Sequence, residues 1–157
     1  MNPEAALLEL TLMNAEADEE GFEKFFVQGT KMGIPAEVLT RLSQLWDQVQ
    51  VIGGHAIAIG KIIVQRIFAF LQANPRVAIG AAIGMAVAYL LTGIPFVGAL
   101  LAPLMVVLGL AGAGVGAATE NEATPSALAV LTALVEKFFE LLRGVFEGVS
   151  QYVEAVK

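Results

Sequence analysis

The stretch LLTGIPFVGALLAP, Leu90 to Pro103, sets two glycines and two prolines inside a run with no charge from Val77 to Thr119. Arg76 and Glu120 close that run. Val77 to Ile94 is 18 residues, about 27 Å as an α-helix, just long enough for a bilayer core of about 30 Å. Phe96 to Ala118 is 23 residues and can cross with tilt. Between them Gly93 supplies unusual backbone angles and Pro95 starts a returning helix, so the run reads as a hydrophobic hairpin. Pro103 removes a backbone donor inside the second arm and kinks it.

The rest of the chain supports that reading. Of 157 residues, 57% are hydrophobic and only 15% charged, beyond the usual balance of a globular domain. Residues 1–50 hold nine acids against Lys24, Lys31 and Arg41. Residues 51–76 hold Lys61, Arg66 and Arg76 with no acid, a cationic segment beside the apolar run, placed to meet anionic lipid headgroups. A net charge of −6 without a larger basic patch argues against nucleic acid. The absence of cysteine excludes disulfides, thiol catalysis and thiolate metal sites. The first residues, MNPEAALLELTL, lack the basic start of a secretory signal, so the apolar run itself is expected to target the membrane. Every Lys and Arg lies outside the hairpin, which predicts both termini on the cytoplasmic side, in a bacterial inner membrane.

Helices flank the hairpin. Asn2-Pro3-Glu4 reads as N-cap, first helical residue and an acid at the positive end of the dipole, opening a helix that ends near Asp18 to Gly21. Phe22, Phe25 and Phe26 form an aromatic turn, and Gly29 to Gly33 a loop. Pro35 opens a second helix whose Val38, Leu42, Leu45, Val49 and Ile52 share one stripe. Gly53-Gly54 is a hinge or break, and a third helix covers Ala56 to Ala73 with Lys61, Gln65 and Gln72 on one edge. That helix suits either a membrane interface or an ordinary core with a solvated edge. Thr124-Pro125 opens the last helix, where Leu131, Val135, Phe138, Leu142, Val145 and Val149 alternate at spacings of 3 and 4. So wide a stripe predicts burial against an oligomer, a bundle or the membrane.

Small residues recur at close-packing distance in the run: Gly80 with Gly84, Gly109 with Ala113, and Gly112 with Gly116. They predict contact between the arms or between copies. The GAGVGA segment at 112–117 lacks the βαβ unit of a dinucleotide site. GHAIAIGKI at 54–62 has Ile where a phosphate loop needs Ser or Thr. His55 has no nucleophile elbow to serve, and the acids from Glu16 to Glu23 lack calcium-loop spacing. No catalytic, cofactor-binding or metal-ligating set emerges.

The organisation read from sequence is an acidic helical region at 1–54, a basic amphipathic helix at 55–74, the hairpin at 75–119 and the heptad helix at 124–157. In plan, residues 55–157 resemble colicin-type pore-forming domains and phage holins, and are similar to membrane-shaping hairpins such as caveolins. The resemblance is architectural and transfers no functional residue. The expectation is an all-α, non-enzymatic, self-associating membrane protein that permeabilises the bilayer. The alternative is a scaffold subunit of a membrane-bound assembly, with the acidic region as its docking surface for a protein partner.

Overall fold

The computed structural model describes residues 2–16, 21–75, 79–91, 102 and 125–155. Among these the chain is mostly helical, in the order α1 (Pro3–Glu16), α2 (Glu23–Met32), α3 (Ala36–Trp46), β1 (Gln50–Ile52), β2 (His55–Ile57), α4 (Ile59–Ala73), α5 (Ile79–Leu91) and α6 (Pro125–Ala155). The all-α expectation therefore holds apart from one β-hairpin. No helix among the described residues is long and apolar enough to cross a membrane.

Local chemistry accounts for the helix ends. The Asn2 side-chain oxygen accepts from the Glu4 N–H at 2.8 Å and the Ala5 N–H at 3.4 Å, which caps α1. Residues 22–33, expected as a turn and loop, instead form α2. Its C-terminus closes where Gly33, at φ 91°, lets Ile34 N–H donate to the Gly29 carbonyl at 2.9 Å and Gly33 N–H to the Thr30 carbonyl at 3.2 Å. Gly29 lies inside this helix and packs closely on α3, where a Cβ would stand 2.5 Å from Leu39 Cδ2.

The second helix is shorter than its stripe suggests. α3 buries Val38, Leu39, Leu42, Leu45 and Trp46 and stops there, leaving Val49 exposed. Gly53 and Gly54 are not a hinge. With φ of 59° and 81° they form the two-residue turn that matches strand twist, pairing Ile52 with His55 and Gln50 with Ile57. That turn pulls residues 55–57 out of the third helix, so α4 begins at Ile59.

The Asn14 side chain clamps the hairpin's outer edge, donating to the Ala56 carbonyl at 3.2 Å and accepting from the Ala58 N–H at 2.8 Å. An amide side chain here takes the place of a third strand, pairing the exposed Ala56 carbonyl and the half-buried Ala58 N–H. α1 is thereby fixed along the hairpin.

α4 is the centre of the molecule. Phe68 and Phe70, two residues and about 200° apart on a helix, point to opposite sides. Phe68 packs on Phe25 at 5.0 Å between ring centroids, within a cluster that includes Phe22 and Trp46. Phe70 packs on Phe138 at 5.3 Å and Phe139 at 5.6 Å in α6. Leu7 of α1 lies beside Gly53 and Tyr152, and Met13, at the other end of α1, shares a groove with Ile62 and Ala69 of α4. The apolar sides of this helix are covered by the chain's own helices.

Candidate functional site

The candidate site is the uncharged run and what covers it. α5 is the described helix of that run, Ile79–Leu91; residues 77, 78 and 92–94 of the expected first arm lie outside the described residues. Its sequence, IGAAIGMAVAYLL, carries no charge, and its polar side-chain atoms are the Tyr89 hydroxyl and the weakly accepting sulfur of Met85. Ala82, Ile83, Ala86, Val87 and Leu90 are buried, and among the described elements α5 meets both α6 and α4. Each fully buried Ile, Val or Leu contributes about 1.5–3 kcal/mol, an upper estimate against a compact unfolded chain. Alanines at 82 and 86 let the two helix backbones approach.

Polar contacts among the described residues cross this interface. Thr132 Oγ1 lies 4.0 Å from Met85 Sδ. One turn further along α5, the Arg143 guanidinium stacks 4.5 Å from the centroid of the Tyr89 ring. Arg143 Nε also donates to Glu147 Oε1 at 3.0 Å, one turn along α6. Their order makes α5 and α6 parallel.

The residues read from sequence fall as follows. Leu131, Val135, Leu142, Val145 and Val149 are all at most 5% exposed, and Phe138 is partly buried against the same core. Of the covers expected for this stripe, an oligomer, a bundle or the membrane, the described residues show packing within the chain, against α1, α4 and α5. Gly84 is buried and Gly80 half-buried in α5. Lys61 is half-buried, its Nζ 5.6 Å from the centroid of the Trp46 ring. Arg66 lines an open groove with Glu16, Met13 and Gln65. Arg76, the turn residues Gly93, Pro95 and Pro103, and Gly109, Gly112 and Gly116 lie outside the described residues.

The Tyr89–Arg143 contact was not legible in the sequence. Heptad spacing puts Arg143 on the polar face, and nothing local links it to a tyrosine on another helix. Among the described residues no cluster of His, Asp or Glu is arranged to hold a metal ion. No family model, no curated protein and no solved structure matches this chain.

Proposed function

We propose that this chain is a non-enzymatic, self-associating membrane protein whose uncharged segment, residues 77–119, enters and permeabilises the bilayer. One observation carries the reading: the described part of that segment, α5, bears no charge and packs on a helix of its own chain. A bilayer can replace that apolar cover, whereas water cannot. In this reading Lys61, Arg66 and Arg76 meet lipid headgroups, and the termini stay on the cytoplasmic side of a bacterial inner membrane. Gly109, Gly112 and Gly116 supply the close contacts between arms or copies.

A second reading, a scaffold subunit of a membrane-bound assembly, is favoured by α1. Its Leu8 and Leu12 are 63% and 48% exposed, one turn apart on the side away from buried Ala6, Leu10 and Met13.

Dye release from vesicles of phosphatidylglycerol and phosphatidylethanolamine separates the two. Release is expected from the natural chain. Val107→Arg should abolish it, since a charge at the centre of a span costs about 2.5–3.5 kcal/mol on insertion scales. Binding without release would favour the scaffold, and undiminished release by Val107→Arg would refute a spanning segment.

A further inference from the structure

We propose that α6 is an intramolecular sheath for α5, and that the Arg143 guanidinium stacked on Tyr89 is the latch a bilayer must open. The inference rests on the reading of residues 77–119 as the membrane-entering segment and adds how that entry is restrained.

The two helices differ in what they can do at a membrane. α5 carries no charge, so it can leave water entirely. α6 carries exposed Glu136, Lys137 and Glu140, with Arg143 and Glu147 half-buried, and cannot follow at low cost. Entry therefore requires the α5–α6 interface to part. Most of that interface is apolar burial by Ala82, Ile83, Ala86, Val87 and Leu90, without direction. Lipid tails are as apolar as these side chains, so a bilayer removes the force that keeps them on α6.

The stacked cation is different in kind. A guanidinium over an aromatic face gains electrostatically from the ring quadrupole, and acyl chains offer no equivalent. Glu147 holds Arg143 from the same helix, through a 3.0 Å contact to Nε, and leaves the plane of the guanidinium over Tyr89 at 4.5 Å. Arg143 is 25% exposed and Glu147 45%, so the latch lies at the rim of the interface, where it opens without first unpacking the core. The strength of such a contact at a partly exposed site predicts a two- to fivefold shift, roughly, in the lipid needed for release.

The test uses the full chain, whose lack of cysteine makes introduced thiols unique. Met85→Cys and Thr132→Cys, placed across the interface, carry paired spin labels, or are joined by a short reductant-cleavable bis-thiosulfonate. On phosphatidylglycerol–phosphatidylethanolamine vesicles the label separation should grow, and the joined chain should release no dye until it is cleaved. Arg143→Ala and Tyr89→Leu should each lower the lipid concentration for half-maximal release about two- to fivefold. Tyr89→Phe, which keeps the ring, should match the natural chain. An unchanged label separation on vesicles, or full release by the joined chain, would overturn the sheath. Arg143→Ala and Tyr89→Leu midpoints equal to the natural one, with folding intact by Trp46 fluorescence, would overturn the latch. Should the natural chain release no dye, the permeabilisation reading fails, and the label separation still decides whether α5 leaves α6.

Discussion

Gly60 gives the sharpest test of the packing, because sequence and structure predict opposite signs for one substitution. It is the second residue of α4, where helix propensity alone makes Gly60→Ala stabilising by up to about 1 kcal/mol. In the fold, however, the end of α3 rests directly on this position. A Cβ on Gly60 would overlap the Leu45 carbonyl oxygen, lie 2.7 Å from the Leu45 carbonyl carbon and 3.3 Å from Gln48 N. All three are backbone atoms and cannot rotate away. Relief requires α3 and α4 to separate, which also weakens the hydrogen bond from Gly60 N–H to the Gln48 carbonyl, 3.1 Å long. Overpacking costs about 1–3 kcal/mol and a lost hydrogen bond about 1 kcal/mol. Set against the propensity gain, the net is a destabilisation of about 1–3 kcal/mol. For a chain of this size that lowers Tm by about 2–4 °C per kcal/mol. Urea unfolding followed by fluorescence reports it well, since Trp46 is the only tryptophan and is 4% exposed in the aromatic cluster. Gly144→Ala is the control: a Cβ there meets nothing within 4 Å, so it should stabilise by about 0.5–1 kcal/mol. A Gly60→Ala midpoint at or above the natural one would refute the close approach of α3 to α4.

Three further outcomes are expected. Asn14→Ala should cost about 1–3 kcal/mol by leaving the half-buried Ala58 N–H without its acceptor. It should also speed amide exchange at Ala58 more than at Ile63 in the core of α4. Phe139→Ala, at a fully buried site against Phe70, should cost about 3–5 kcal/mol in urea unfolding. Leu141→Ala, half-exposed two residues away, should stay within about 0.5 kcal/mol. Gly54→Val should lose about 1–2 kcal/mol because its φ of 81° is left-handed. Gly54→Asn, tolerated in that conformation, should lose less, so equal losses for the two would refute the turn.

Elements specified by neighbouring residues were legible. Asn2 caps α1 through bonds spanning two and three residues, and the heptad spacing of α6 marks its buried stripe. α2 was not legible, because Gly29 and Gly33 look alike as letters. One is a helix residue packed against Leu39, the other a terminator with a left-handed φ of 91°. The hairpin was half-legible: Gly53-Gly54 between QVQVI and HAIAI is a turn signal, but the three-residue strands stand only with Asn14, 42 residues away, on their edge.

By itself the sequence determined that this chain is mostly helical, that its charges stand outside Val77–Thr119, and which side of the helix after Pro125 is apolar. Those properties follow from composition, capping and 3.6-residue periodicity, all of them local. Only the tertiary structure decided what covers each apolar side: α6 lies against α1, α4 and α5, with Arg143 brought onto Tyr89. Periodicity tells that a face must leave water, yet hydrophobic burial has no direction and is satisfied equally by a second copy, a bilayer or the chain's own helices. Shape decides among them. Gly60 against Leu45, Gly29 against Leu39, and the opposed rings of Phe68 and Phe70 are fits between residues far apart in the chain, and they make these helices one another's cover.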